Sequence, residues 1–172
     1  VEAYLKRYSR FPYDPGQPGY FILDGLSSEQ DLYTFDSLTA GAEARSRGVE
    51  VILQRRLAMG LYGIASCAWS TADYRSPGQP WRPRIFDNRV IVGLEGGFKF
   101  DERWEVSARW DFAGGRPFTP LDLEASAAAN RTVLDDSRIN AERLPPYHTL
   151  NLRADRRVDF RDSALPAYAS VS

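Results

Sequence analysis

One histidine, His148, and one cysteine, Cys67, are the whole stock of soft metal ligands in this chain of 172 residues. A structural or catalytic zinc site draws on three or four clustered ligands, so no metal centre is expected. A lone cysteine also excludes an internal disulfide. Cys67 is expected as a packed strand residue, the usual place of a free thiol. Nucleophilic chemistry finds no support either. Ser66, Ser70 and Ser107 lie inside alternating stretches and lack the Gly-x-Ser-x-Gly context. Nothing in those stretches assembles a nucleophile, a base and an orienting group, so the chain is not expected to be an enzyme. Gly96–Gly97 and Gly114–Gly115 could suggest a phosphate loop, but in or beside strands glycine marks a bulge or a bend. The run "DDSRINAER" at 135–143 is acidic without the alternating ligands and glycine of an EF-hand. No cofactor is implied.

Binding residues are easier to locate. Trp81, Arg82, Arg84 and Arg89 with Asp87 form a polar, aromatic segment. Such a segment could contact an anionic ligand or the phosphates of a lipopolysaccharide. It could equally tie one loop to another through salt bridges. Arg116, Arg138 and Arg143 are open to the same two readings. In "LPPYH" the paired Pro145 and Pro146 fix an extended approach to a strand, with Tyr147 and His148 at its start. Trp81, Arg82, Arg84 and Tyr147 are the candidate ligand-binding residues.

The elements that must carry them are strands. "WEVSARWDF" (104–112) alternates without a slip, Trp104, Val106, Ala108, Trp110 and Phe112 against Glu105, Ser107, Arg109 and Asp111. The same period of two runs through "GVEVILQRR" (48–56), "RVIVGLEGGFKF" (89–100) and "TLNLRADRRVDF" (149–160), where only Arg156 is out of phase. "LYGIASCAWS" (61–70) alternates less well, and "VEAYLKRYS" (1–9) is the weakest of the set. Several runs reach nine to twelve residues, longer than the roughly five or six of a globular strand and near the 9–11 or so of a tilted bilayer-crossing strand.

Connection lengths add a pattern. "LAMG" (57–60) and "DER" (101–103) are tight turns, whereas about 10–47, 71–88 and 113–148 are long and rich in Pro and Gly. In an antiparallel meander, this order places every tight turn at one end and every long loop at the other, as in an outer-membrane barrel. Aromatics recur near strand ends (Trp69, Phe98, Phe100, Trp104, Trp110, Phe112, Phe160), as interfacial girdles would. The expectation is an all-β, up-and-down antiparallel meander of six or seven long strands over residues 1–160, part of a transmembrane β-barrel with lipid on the apolar face and water on the charged one. Residues 161–172 are expected as a poorly defined tail. A net charge of −1 speaks against a nucleic-acid binder acting through a general basic surface. No apolar run approaches the roughly 20 residues of a membrane helix, and "VEAYLKRYS" does not read as a secretory signal.

The segments "GVEVILQRRLAMGLYGIASCAWS", "WRPRIFDNRVIVGLEGGFKF", "WEVSARWDFAGGRPFTP" and "RINAERLPPYHTLNLRADRRVDF" resemble the C-terminal part of the barrel of a TonB-dependent outer-membrane receptor. The more specific pieces are the Gly-x-Glu strand start at Gly48–Glu50, "FDNR" at 86–89, "GRPFTP" at 115–120 and "ERLPPYHTLNLR" at 142–153. The resemblance implies a 22-stranded barrel plugged by an N-terminal domain. Such a receptor imports a scarce ligand (an iron chelate, cobalamin or a glycan) with energy delivered through the plug by an inner-membrane partner. Outer-membrane lipid and lipopolysaccharide are the surroundings it implies. The expected chain is a fragment of such a barrel, without a plug and not functional alone. Two other expectations stand beside it: a small structural or adhesive outer-membrane barrel without transport, and a soluble lipocalin-like binding protein with its apolar face turned inward.

Overall fold

In the computed structural model, which describes residues 1–25, 37–160 and 163–172, the elements follow in chain order. They are β1 (Glu2–Tyr13), α1 (Ile22–Gly25), β2 (Thr39–Ala58), β3 (Leu61–Arg75), the two-residue β4 (Arg82–Pro83), β5 (Val90–Lys99), β6 (Trp104–Ala113), β7 (Pro117–Phe118), α2 (Leu123–Ala129), β8 (Glu142–Arg143), β9 (Tyr147–Asp159) and β10 (Ala164–Val171). The seven long strands form one antiparallel sheet in the order β1-β2-β3-β5-β6-β9-β10, with β4 added to β3 and β7 paired with β8 as a separate ribbon. The meander is the one that alternation predicts. Strands β1 and β10 end the order, each paired on one side only among the described residues.

The strands run further than their alternation predicts. β2 begins at Thr39 and β3 continues to Arg75, so 39–47 and 71–75, expected in loops, are strand. The hidden stretch puts Ala40, Ala42 and Ala44 against Glu43 and Arg45, and alanine carries little strand propensity of its own. Pairing with both neighbours settles the matter: Ala42 lies opposite Phe11, and Ala44 opposite Tyr8 and Tyr74. Residues 164–171, expected in the tail, form β10, every residue of it paired with β9 from Ala164↔Asp159 to Val171↔Leu152. The part of the first long connection at 26–36, and positions 161–162, lie outside the described residues.

Tight turns gather at one end. Met59 and Gly60, both at positive φ (52° and 80°), join β2 to β3 as a two-residue hairpin of the type I′ kind, the one that needs positive φ at both positions. Between β5 and β6 the Asp101 carboxylate accepts from the backbone N–H of Arg103 and of Trp104, each at 2.7 Å. These bonds to the charged form hold its pKa below the ordinary 3.8. The β9–β10 turn closes with Phe160 N–H donating to Ser163 O at 2.7 Å.

Register keeps two faces distinct across the sheet. One face carries the rows Leu61–Phe98–Val106–Ala154, Ala65–Leu94–Trp110–Leu150 and Cys67–Val92–Phe112–His148. The other carries Glu95–Arg109–Asn151, Lys99–Glu105–Asp155 and Ser107–Arg153. Ile52, Ile64 and Ile91 fall on this second face among the polar groups. Arg55 and Arg156 fall on the apolar one, Arg156 over the Trp104 ring at 5.0 Å. Nothing in the described chain covers the apolar face: Leu53, Leu94, Trp104, Leu150, Leu152 and Leu165 are all exposed. Cys67, expected to be packed, is exposed there too, because its face has no second layer.

The core sits elsewhere. The buried apolar side chains among the described residues are Tyr20, Phe21, Ile22, Ala42, Ala44, Tyr74 and Ile139, from the long-connection end. The chain exposes 12122 Å², against about 8,500 Å² for a compact protein of its mass.

Candidate functional site

At the long-connection end the strands outrun the tight pairing below and connecting segments fold against them. A turn opens the first connection, the Asp14 carboxylate accepting from Gly16 N–H at 2.8 Å. It delivers Phe21 onto the sheet, where its ring meets Phe11 at 5.4 Å and Tyr74 at 5.0 Å between centroids. Tyr74, 1% exposed, donates its hydroxyl to Gly19 O at 2.6 Å, and Tyr20 donates to Asp136 of the last connection. The short α1 then supplies Asp24. Its buried carboxylate accepts from Arg84 Nη2 at 2.6 Å and Nε at 2.9 Å, and from Ile85 N–H at 3.2 Å. Burial pushes the Asp24 carboxyl above the ordinary 3.8 despite the pull of Arg84.

Arg84 is thereby a strut. It bonds Asp24, lies over the Phe21 ring at 4.7 Å and uses its own N–H on Ala72 O. Arg82 pairs in register with Tyr74 and donates Nη1 to Gln79 at 3.1 Å. Trp81 goes the other way. Its ring lies beneath the guanidiniums of Arg45 and Arg75, at 4.2 and 4.7 Å, and both arginines belong to the face that carries Val49 and Trp69. Tyr147 opens β9 opposite Ala113, exposed and on the face of Asp111 and Asn151. The four candidates therefore divide between the two faces of the sheet. Arg82 and Arg84 share one cluster, Trp81 belongs to another, and Tyr147 makes no ring contact, ion pair or side-chain hydrogen bond with any of them.

Several of the remaining loop charges are paired. Asp87, buried, accepts from Ala72 N–H at 3.0 Å and from Arg143 Nη2 at 2.5 Å, and lies 3.7 Å from Arg89. Arg143 also donates Nη1 to the carbonyls of Asp87 and Gly115. Arg138 pairs with Glu142. Asn140 ties the second and third connections together, donating to Pro83 O at 2.8 Å. For Arg84 and Arg143 the loop-to-loop reading describes the contacts they make, whereas Arg138 pairs within its own connection. Arg45, Arg75, Asp24 and Phe21 were not legible as site residues. Arg45 and Arg75 sit in stretches without clear alternation, and Asp24 gains its meaning only from Arg84, sixty positions on.

Down the charged face, ion pairs run within and between strands: Glu95–Arg109 at 3.7 Å, Arg109–Asp111 at 2.7 Å, Lys99–Glu105 at 3.4 Å and Arg153–Asp155 at 2.6 Å. Two tyrosines lie over glycines on this face. A Cβ at Gly48 would meet the Tyr4 hydroxyl at 2.8 Å, and one at Gly97 the Tyr62 ring at 2.5 Å. Tyr62 then donates to Glu105. These are contacts that hold a polar wall in shape; they do not assemble a nucleophile with a base. Among the described residues no helix is long and apolar enough to cross a membrane, which says nothing of crossing by strands. No protein family, curated protein or solved structure matches this chain.

Proposed function

We propose that the chain is a section of the wall of a bacterial outer-membrane β-barrel belonging to a TonB-dependent receptor that imports a scarce ligand. One observation carries the membrane part of this reading: between the long-connection end and the tight turns the apolar sheet face is left uncovered, while the ion pairs of β5, β6 and β9 occupy the opposite face. In water that arrangement forgoes the burial that drives folding; in a bilayer the apolar face is solvated by lipid and the charges by a lumen. Dimensions agree. From Val90 to Lys99 β5 rises roughly 31 Å at about 3.4 Å per residue. Tilted by about 40°, it spans roughly 23 Å, close to the apolar band of about 25 Å in such barrels. Trp69 and Phe112 lie toward one end of this band and Phe98, Phe100, Trp104 and Phe160 toward the other, where girdles belong. The two end strands call for further strands, since an open edge in lipid costs several kcal/mol per unsatisfied group. The importer part rests on the resemblance of the strand and loop motifs, with the packed long connections as the ligand-facing end. A soluble lipocalin-like binder is disfavoured by the same uncovered face.

The faces can be tested with the chain's own thiol. Cys67 lies on the apolar face and its neighbour Ser66 on the charged one. In lipid vesicles a water-soluble maleimide should modify Cys67 slowly. Ser66→Cys, in a Cys67→Ala background, should react much faster. Equal rates, or a faster Cys67, would overturn the membrane reading.

A further inference from the structure

The apolar face changes chemistry at its long-connection end. Above the row Ala3–Val49–Trp69 come Leu5–Arg47–Thr71, then Arg7–Arg45–Asp73, then Glu43 opposite Arg75. Four guanidiniums (Arg7, Arg45, Arg47, Arg75) meet two carboxylates (Glu43, Asp73), which leaves two positive charges without a counterpart. Arg45 is bound to Asp73 at 2.9 Å and Arg75 to Glu43 at 2.7 Å. Arg7 and Arg47 make no ion pair among the described residues, Arg47 reaching only Thr71 Oγ1 at 3.2 Å. Arg7 stands directly opposite Arg45, a like-charge cross-strand pair that is unfavourable unless an anion lies between them.

We propose that this cluster binds the phosphate of a lipid headgroup in the leaflet on the long-connection side, an inference that rests on the membrane reading above. Position supports it. Arg47 and Arg45 lie about 7 and 14 Å along the strand beyond Val49, or roughly 5 and 10 Å along the bilayer normal at a tilt of about 40°. The first falls within the headgroup layer, about 5–8 Å deep outside a hydrocarbon core of about 30 Å, and the second at its outer edge. Geometry supports it as well. Arg7, Arg45, Arg75 and Trp81 line a cleft of about 390 Å³ together with Ser9 and Glu43. Trp81 lies under two of the guanidiniums, its ring centre 4.2 and 4.7 Å from them. Arg45 spends Nε on Asp73 and leaves both Nη groups without a protein acceptor among the described residues. Planar guanidiniums with free donors suit the bidentate recognition of phosphate.

The test is native mass spectrometry of the full chain in detergent, titrated with diphosphoryl lipid A, with its dephosphorylated form and with inorganic phosphate. The phosphorylated lipid should bind about tenfold or more tightly than the dephosphorylated one. Arg7→Gln with Arg47→Gln, neither of which breaks an ion pair, should abolish that preference. Arg7→Lys with Arg47→Lys should keep most of it, and Lys6→Gln, on the opposite face, should leave it intact. An unchanged preference in the double glutamine variant, or no preference in the parent chain, overturns the site. Inorganic phosphate displacing the lipid at equal concentration would reassign it to a soluble anion and overturn the lipid. A chain that passes the Cys67 and Ser66 labelling but shows no phosphate preference loses this inference alone; one that fails the labelling loses both.

Discussion

Gly114 and Gly115 show what glycine does where the third long connection leaves β6. A Cβ on Gly115 would stand 1.7 Å from Leu144 O, and one on Gly114 2.2 Å from Asn88 O. Both are backbone atoms, so no side chain can move aside. Gly115→Ala should therefore displace the β7–β8 ribbon, at a local cost of about 3 kcal/mol, and open 114–146 to limited proteolysis. Gly78→Ala is the control: its φ is +75° but nothing lies within 4 Å of the new Cβ, so the cost should be about 1 kcal/mol and the cleavage pattern unchanged. Equal sensitivity of the two would mean that strain, not contact, dominates. The glycine pair reads from sequence as a bend; the close approach does not, because its partner lies about thirty positions away. Trp81 and Arg82 make the same point. They are consecutive, yet one joins the cluster of Arg45 and Arg75 and the other the side of Tyr74, and a stretch without alternation gives no phase from which to tell the faces apart.

For the elements, alternation is legible where large apolar residues mark it and silent where small ones stand in their place. β5, β6 and β9 begin and end within about two residues of where the sequence puts them. The long-connection end of β2 is carried by alanines and glycine, and β10 by Ala164, Ala167, Ala169 and two serines nearby. There neighbouring strands decide, through pairing that no local window contains. Turns are legible when their chemistry is local. Asp101 is such a case, its carboxylate bonded to two backbone N–H groups one turn on. Its pKa is lowered in the folded chain, so its contribution is present above the unfolded value near 3.8 and is lost as pH falls through the folded value. Asp101→Ala should therefore lower the urea midpoint of the detergent-folded chain at pH 7. As pH falls below 3.8 the gap between the variant and the parent should narrow, and it should close once the folded carboxylate is protonated. A gap that persists undiminished in acid would mean that the turn is held by something other than this carboxylate.

At the scale of the whole molecule the two faces matter more than any single contact. A sheet whose middle and tight-turn end carry ion pairs on one side and exposed Leu, Val, Trp and Phe on the other has one stable orientation at a lipid boundary, and the packed aromatic cluster at the long-connection end is too small to replace a core. The sequence carries this orientation in its phase, since the same alternation that fixes strand identity also sorts charge from apolar surface across five consecutive pairings. It leaves open which solvent each face meets, and a pair of arginine substitutions decides that. Leu94 lies midway along the apolar run of β5, between Ala65 and Trp110. Leu94→Arg should cost about 2–4 kcal/mol of folding stability in lipid vesicles. Thr149 faces the other side, directly opposite Asp111, where a new guanidinium finds a carboxylate and water, so Thr149→Arg should cost under about 1 kcal/mol. Both are read from urea titrations of vesicle-folded protein. In water the order would be weaker, because an exposed leucine replaced by arginine loses little. A large gap in lipid that collapses in detergent-free buffer identifies the bilayer as the solvent of the apolar face, and equal costs in lipid would remove it.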